Sequence, residues 1–342
     1  MSVTAACSVV IPTYNRAAYL RDALDSVQAQ TFPDWELLVV DDRSTDDTAR
    51  LVTEIARRDP RVRLLRNSGA KGPGAARNIG LRDARGRYVA FLDSDDRWEP
   101  SKLSHFMAAA HAHPEAVLIG SDYKIRDVAA GTIRTMSDTV FQTMLPWWEE
   151  YAFTTGLIPC ARLREDVSLL ADSGIALSMT IAGFLWIHTS SAMLERQAAL
   201  DAGAFDERLL LHEDTDLWLR MMARGSMVFI DRELATYDVT GRDDASGGRY
   251  AGHDQARLHT KYMLWAADLM LLERIGLTHI LSPAQRALLD DRLNFFQGEC
   301  ANAAWRAGKK HRWLGHALSA SSQPLARLAG RAVQRWYSSI RP

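Results

Sequence analysis

An α/β fold, with a mostly parallel central sheet flanked by helices and a helical C-terminal region, follows from three observations on this chain of 342 residues. Short apolar runs of strand length alternate with helix-length segments through the first third of the sequence. The runs are mostly apolar, the second nearly continuously so in the pattern of a strand covered on both faces, and each stops abruptly at polar residues. From about Tyr250 onward the pattern turns helical. Strands alternating with helices imply parallel pairing, which brings the carboxyl ends of the strands to one edge.

The first strand, Cys7 to Ile11, stops at Pro12-Thr13-Tyr14-Asn15-Arg16 and leads into a helix from about Ala17 to Gln30. The second, Trp35 to Val40, ends in Asp41-Asp42-Arg43-Ser44. Val62 to Leu65 is the third, and the Gly-rich loop from Gly69 to Gly74 behind it opens a helix carrying Arg77 and Asn78. The fourth, Tyr88 to Leu92, ends in Asp93-Ser94-Asp95-Asp96, three carboxylates within four residues. Thr13, Asp42, Gly74, Arg77, Asp93 and Asp95 therefore border one crevice. Carboxylates are hard ligands for Mg²⁺ or Mn²⁺, ions that keep positions for water and phosphate. A helix start beside them favours an anion. The inventory fits a nucleoside diphosphate. On the residues alone a plainer reading stays open, since Asp and Ser after a strand also suit turns and N-caps, and Gly72-Pro73-Gly74 suits a turn. No Gly-x-Gly-x-x-Gly follows the first strand and no Gly-x-x-x-x-Gly-Lys-Ser/Thr occurs, which argues against a dinucleotide or a Walker-type site.

The segments Ser8-Val9-Val10-Ile11-Pro12-Thr13-Tyr14-Asn15, Val40-Asp41-Asp42-Arg43-Ser44 and Phe91-Leu92-Asp93-Ser94-Asp95-Asp96 resemble the family 2 glycosyltransferases with a GT-A fold. Ser190-Ser191, Gly203-Ala204-Phe205-Asp206-Glu207-Arg208 and His212-Glu213-Asp214-Thr215-Asp216-Leu217-Trp218 extend the resemblance in order and spacing, from about Cys7 to Tyr237. It implies a nucleotide-sugar donor, most often a UDP-sugar, a glycan or lipid-linked sugar acceptor, and Mg²⁺ or Mn²⁺ as cofactor. Carried over position by position, it places Pro12, Thr13 and Tyr14 along the base and Asp42 on the uracil N3–H. Asp93 falls near the ribose, Arg77 beside the diphosphate, and Asp95 on the metal with Asp96 next to it. The general base is Asp214, second of the Glu213-Asp214 pair, and direct attack implies inversion. Near the polar loop from Asp238 to Gly248, Arg242 and His253 are the local candidates for a segment that helps hold the diphosphate and metal. The acids at 213, 214 and 216 also suit a first helical turn, where the helix dipole favours them regardless of catalysis.

Two other functions fit less well. A sugar nucleotidyltransferase needs a Gly-rich, basic first loop, which Pro12-Thr13-Tyr14 is not. A silent binding or scaffold protein has no use for Asp93, Asp95 and Asp214 together.

A net charge of −1 gives no general attraction to nucleic acid. The three cysteines, Cys7, Cys160 and Cys300, are odd in number and far apart, which fits a reduced, cytoplasmic setting. The first strand begins too early for a signal peptide, and the most apolar internal run, Gly174 to Ile187, is shorter than the ~20 residues that span a bilayer. No transmembrane helix is expected. The domain reading is a catalytic region over 1–245, with a nucleotide-sugar half to about 122 and an acceptor half from 123, then a helical region over 246–342. Its helices fall at Gln255 to Arg274, Pro283 to Ala307 and Leu325 to Tyr337. No acidic residue follows Glu299, while Arg306, Lys309, Lys310, Arg312, Arg327, Arg331, Arg335 and Arg341 alternate with apolar positions. That pattern suits either peripheral contact with the inner face of the cell membrane or a solvated basic face. Pro146-Trp147-Trp148 and Tyr151 suit either an acceptor-side wall or core.

Overall fold

The computed structural model describes residues 5–127, 130–135, 169–171, 187–209, 211–239, 269–277 and 281–306. The chain divides into two compact units, residues 1–177 with 185–239 and residues 178–184 with 240–342. In the first, β1 (Cys7–Thr13), β2 (Trp35–Asp41), β3 (Val62–Arg66) and β4 (Tyr88–Phe91) alternate with α1 (Leu20–Gln28), α2 (Thr48–Ala56) and α3 (Pro73–Asp83). Then come β5 (Arg97–Trp98), α4 (Lys102–Ala112), β6 (Ala116–Asp127), β7 (Thr132–Thr135) and β8 (Leu169–Ala171). A 3-10 turn at Thr189–Ser191 leads into β9 (Ala192–Glu195), α5 (Arg196–Asp201), α6 (Glu213–Met222) and β10 (Ser226–Val239).

These strands form a single sheet in the order β3-β2-β1-β4-β9-β6-β10-β5, with β7 added to β6 and β8 to β10. The four predicted strands are its parallel half, in register Thr13 with Asp41, Val40 with Leu65, and Val10 with Phe91. Beyond β4 the ladder changes hand, since β9 runs antiparallel to both β4 and β6. Every residue of β1 and β2 is buried, as their mostly apolar runs require, and the two polar residues short of their ends pair, Ser8 Oγ donating to Glu36 Oε1 at 2.7 Å. One face receives α1, whose Leu20, Ala23, Leu24 and Val27 recur at helical spacing and are all buried.

Helix α3 sets the geometry of the site. It begins after Gly72 at φ 130° with Pro73 in its first turn, where the missing N–H costs nothing. At Gly80 it lies so close to β1 that a Cβ there would stand 2.3 Å from Val10 Cγ1. Arg77 is one turn before Gly80 on the same face, so it enters the protein interior rather than solvent.

The second unit contains α7 over residues 269–277 and α8 (Pro283–Arg306). Helix α8 matches the predicted Pro283 to Ala307 segment, and α7 overlaps the end of the predicted Gln255 to Arg274 segment. Arg242, His253, Trp147, Trp148, Tyr151, Cys160 and the basic run beyond Arg306 lie outside the described residues, as does the third C-terminal helix. Among the described residues no helix is long and apolar enough to cross a membrane. Cys7 and Cys300 are buried, and burial pushes the Cys7 thiol up to about 12.

Candidate active site

In the order β3-β2-β1-β4 the chain moves outward from β1 in one direction and returns to its other side at β4. The carboxyl ends of the strands at such a reversal are where open α/β sheets generally bind ligands. Pro12 and Thr13 end β1 there, Asp41 ends β2, and the 93–96 carboxylates follow β4.

On the β2 side the structure shows what holds Asp42. Its Oδ1 accepts from Asn67 Nδ2 at 2.7 Å and its Oδ2 from the Gly72 N–H at 2.9 Å. Asn67 also donates to the Ala70 carbonyl at 2.6 Å and accepts from the Gly69 N–H at 2.8 Å. Asp42 thus ties the Gly-rich loop to the end of β2, while each carboxylate oxygen keeps acceptor capacity. Thr13 is 3% exposed and its Oγ1 has no hydrogen-bond partner. Pro12 is buried beside it, and Tyr14 is exposed with Lys71 Nζ 4.0 Å over its ring.

On the β4 side Arg77 is the hub. It is 4% exposed, and its two terminal nitrogens donate to Asp93 Oδ1 and Glu213 Oε1, each at 2.7 Å. Its guanidinium carbon lies over the Phe205 ring, 5.7 Å from the centroid. Burial alone would weaken the guanidinium's hold on its proton, but Asp93 and Glu213 raise its pKa above the ordinary value. The reciprocal effects differ. Asp93 is held below the usual carboxylate range because Arg77 outweighs its burial, whereas for Glu213 burial wins and its pKa is raised. Asn78 fixes the neighbouring turn, donating to the Phe205 carbonyl and accepting from the Phe205 N–H, both at 2.9 Å.

The turn before β9 joins this cluster to α6. Ser190 Oγ accepts from the Asp93 N–H at 3.0 Å and donates to Asp96 Oδ2. Thr189 Oγ1 donates to Asp214 Oδ2 at 3.0 Å, and the Thr215 N–H holds Asp214 Oδ1 at 2.7 Å. His188 Nδ1 accepts from the Ser190 N–H at 3.3 Å and lies 3.7 Å from Asp96 Oδ2. Burial lowers the His188 pKa, so its ring is neutral. Asp96 is 1% exposed, its Oδ1 has no partner, and burial together with Asp93 and Asp95 raises its pKa well above the usual range. Asp95 is half-buried, with Oδ2 3.6 Å from Arg16 Nη2.

Among the described residues Asp93, Asp96 and His188 are the one group of three whose potential ligand atoms lie within 4.8 Å of one another. Clustered carboxylate oxygens with an orphaned buried acceptor fit a divalent cation.

The structure therefore brings Pro12, Thr13, Asp42, Arg77, Asp93, Asp95, Asp96, Glu213 and Asp214 to one side of one sheet. Arg77, expected beside a diphosphate, has both ends of its fork taken by carboxylates. Sequence reasoning passed over Arg16, Asn67, His188 and Thr189. The last two directly precede the Ser190-Ser191 pair, which was the available signal. Nothing local marks the other two.

Residues 8–160 match the family model described as glycosyl transferase family 2. A β-1,3-glucosyltransferase of Escherichia coli, named as acting from UDP-Glc on α-D-GlcNAc-diphosphoundecaprenol, is 47% identical over 96 residues, 28% of this chain and 37% of its own length. The chain spans only 16% to 38% of the length of the first relatives it matches. Among solved structures, residues 1–349 of S. aureus TarS in complex with UDP superpose with a TM-score of 0.56 at 18% identity, covering 98% of this chain and 92% of that one. The mannosyltransferase PcManGT from Pyrobaculum calidifontis, in complex with GDP-Man and Mn²⁺, gives 0.58 at 17% identity, covering 98% and 83%. These two show the shared fold.

Proposed function

We propose that the chain moves a sugar from a UDP-sugar to a hydroxyl of a lipid-linked or other glycan acceptor, a reading supported by the match of residues 8–160 to the glycosyl transferase family 2 model and by the fold shared with the two solved structures. Its donor half is residues 1–122 and its acceptor half 123–245, followed by the helical region 246–342. The observation that carries this reading is the His188-Thr189-Ser190 turn. Thr189 holds Asp214 while Ser190 holds both Asp93 and Asp96, so a candidate base and the candidate phosphate-side acids are fastened to adjacent residues.

In this reading Pro12, Thr13 and Tyr14 line the base, and the unpartnered Thr13 hydroxyl and the remaining acceptor capacity of Asp42 meet its polar edge. Asp93, set by Arg77, faces the ribose. Asp95 and Asp96 hold Mg²⁺ or Mn²⁺, which when bound offsets the charge that builds on the departing diphosphate. Asp214 takes the proton from the acceptor hydroxyl as it attacks the anomeric carbon. Asp214 Oδ1 accepts from the Thr215 N–H and hydroxyl, while Oδ2 accepts from Thr189 and retains a lone pair for that proton. Direct displacement inverts the anomeric centre. Glu213 does not compete as base, because Arg77 engages it. The UDP preference rests on the named donor of the E. coli relative. The basic, apolar-interleaved sequence after Glu299 supports a cytoplasmic protein peripheral to the membrane's inner face.

Calorimetric titration with UDP, GDP and CDP, each with Mn²⁺ or with chelator, tests the donor class. It is followed by transfer from a panel of UDP-sugars to a GlcNAc-diphosphopolyprenol. Selective, metal-dependent UDP binding with transfer is expected. Binding without transfer to any acceptor would favour a silent binding protein, and preference for GDP would overturn the UDP assignment.

A further inference from the structure

The geometry points to His188 as a nitrogen ligand of the divalent cation, closing a site with Asp96 and with Asp93, which on this geometry serves the ion rather than the ribose; the inference rests on the reading above that this site takes a metal-bound nucleoside diphosphate. Ligands on opposite sides of an ion of this size stand about 4.2 Å apart, twice a bond of about 2.1 Å. The three potential ligand atoms here lie within 4.8 Å of one another, so small side-chain rotations close the set.

Two further observations support an ion at this place. Asp96 Oδ1 is buried without a donor, in a residue 1% exposed, and an unmet buried carboxylate oxygen is costly. A cation supplies what no neighbouring N–H or O–H does. The His188 ring is also held in position before any ion arrives. It packs between Tyr123 and Tyr237, with centroids 5.6 and 5.1 Å away. Its Nδ1 lies 3.7 Å from Asp96 Oδ2 and accepts only a long 3.3 Å bond from the Ser190 N–H, which coordination would replace. An imidazole in the set shifts preference from Mg²⁺, which favours oxygen and water, towards Mn²⁺.

The test uses the full-length chain with Mn²⁺ and UDP and reads the ion directly by pulsed electron paramagnetic resonance. Wild type should show nitrogen modulation from a coordinated imidazole, altered by ¹⁵N-histidine labelling. His188→Asn keeps a side-chain acceptor for the Ser190 N–H; it should fold with little change in Tm, lose the modulation and bind Mn²⁺ at least about 10-fold more weakly. Should His188→Asn unfold, His188→Gln takes its place, and His253→Asn, expected to keep the modulation, shows that the imidazole is not that of His253. Mn²⁺ bound without nitrogen modulation in wild type, or equal Mn²⁺ affinity in the two proteins, overturns the assignment of His188 and leaves sugar transfer standing. Failure of UDP to bind with any ion sinks the parent reading instead.

Discussion

Arg77 Nη1 donates to Glu213 Oε1 at 2.7 Å across 136 positions of sequence, and its other nitrogen reaches Asp93 at the same distance. One side chain thereby joins the end of β4 to the start of α6. Arg77→Met would leave the buried Glu213 and the half-buried Asp93 without their cation. Breaking a buried pair from one side costs about 3–5 kcal/mol, so urea unfolding should show a loss of that order. Arg77→Lys restores charge but not the two-pronged geometry and should recover only part of it. A loss under about 1 kcal/mol for Arg77→Met would show that the pairing is not maintained in solution.

Asp214→Asn keeps the shape of the side chain and an acceptor for Thr189 or Thr215, but removes the basic oxygen. Transfer should fall by about 10²- to 10⁴-fold, the usual contribution of a positioned general base, while UDP affinity stays within a factor of about 2. Single-turnover transfer and calorimetry on the same preparation separate the two. Normal transfer would remove Asp214 as the base.

Asp42→Asn replaces one of two acceptor oxygens with a donor, facing either the Gly72 N–H or the Asn67 amide. That puts donor against donor at the hinge of the Gly-rich loop. UDP binding should weaken by about 10-fold or more, the equivalent of one lost hydrogen bond to a charged group. Binding unchanged by calorimetry would show that neither the loop nor Asp42 contributes to the nucleoside site.

Lys102 lies entirely out of solvent with Nζ 4.0 Å over the Phe106 ring and 3.3 Å from Ser121 Oγ, and burial drives its pKa well below the ordinary lysine value. The unfolded chain, with lysine near 10.4, therefore binds the proton that the folded chain refuses. Between that depressed folded value and about 10.4, stability rises with pH and is lost as pH falls. Lys102→Met fills the same space without the proton. Its Tm advantage over wild type should be largest at the acid end of a series from about pH 6 to 10 and shrink towards the alkaline end. A difference constant with pH would mean that Lys102 stays charged in the fold.

The sequence by itself determined the parallel half of the sheet. Unbroken apolar runs such as Val9 to Ile11 and Leu37 to Val40 can be buried on both faces only there, and the residues where they stop are the residues at the crevice. The three acids after Leu92, at 93, 95 and 96, were legible for the same reason. Partners were not, because partners are set by tertiary distance. Arg77 was readable as a cation beside an anion, but its anions come from positions 93 and 213, and its direction comes from the close approach of Gly80 to Val10. His188 was marked locally only by the Ser190-Ser191 pair that follows Thr189, and that pair says nothing of a metal. It reaches Asp93 and Asp96 only because β9 lies antiparallel against β4, which brings the turn before Ala192 over the end of Phe91. Periodicity and punctuation report what each segment buries. Which charges then meet is decided by strand order and register, and those are properties of the folded sheet alone.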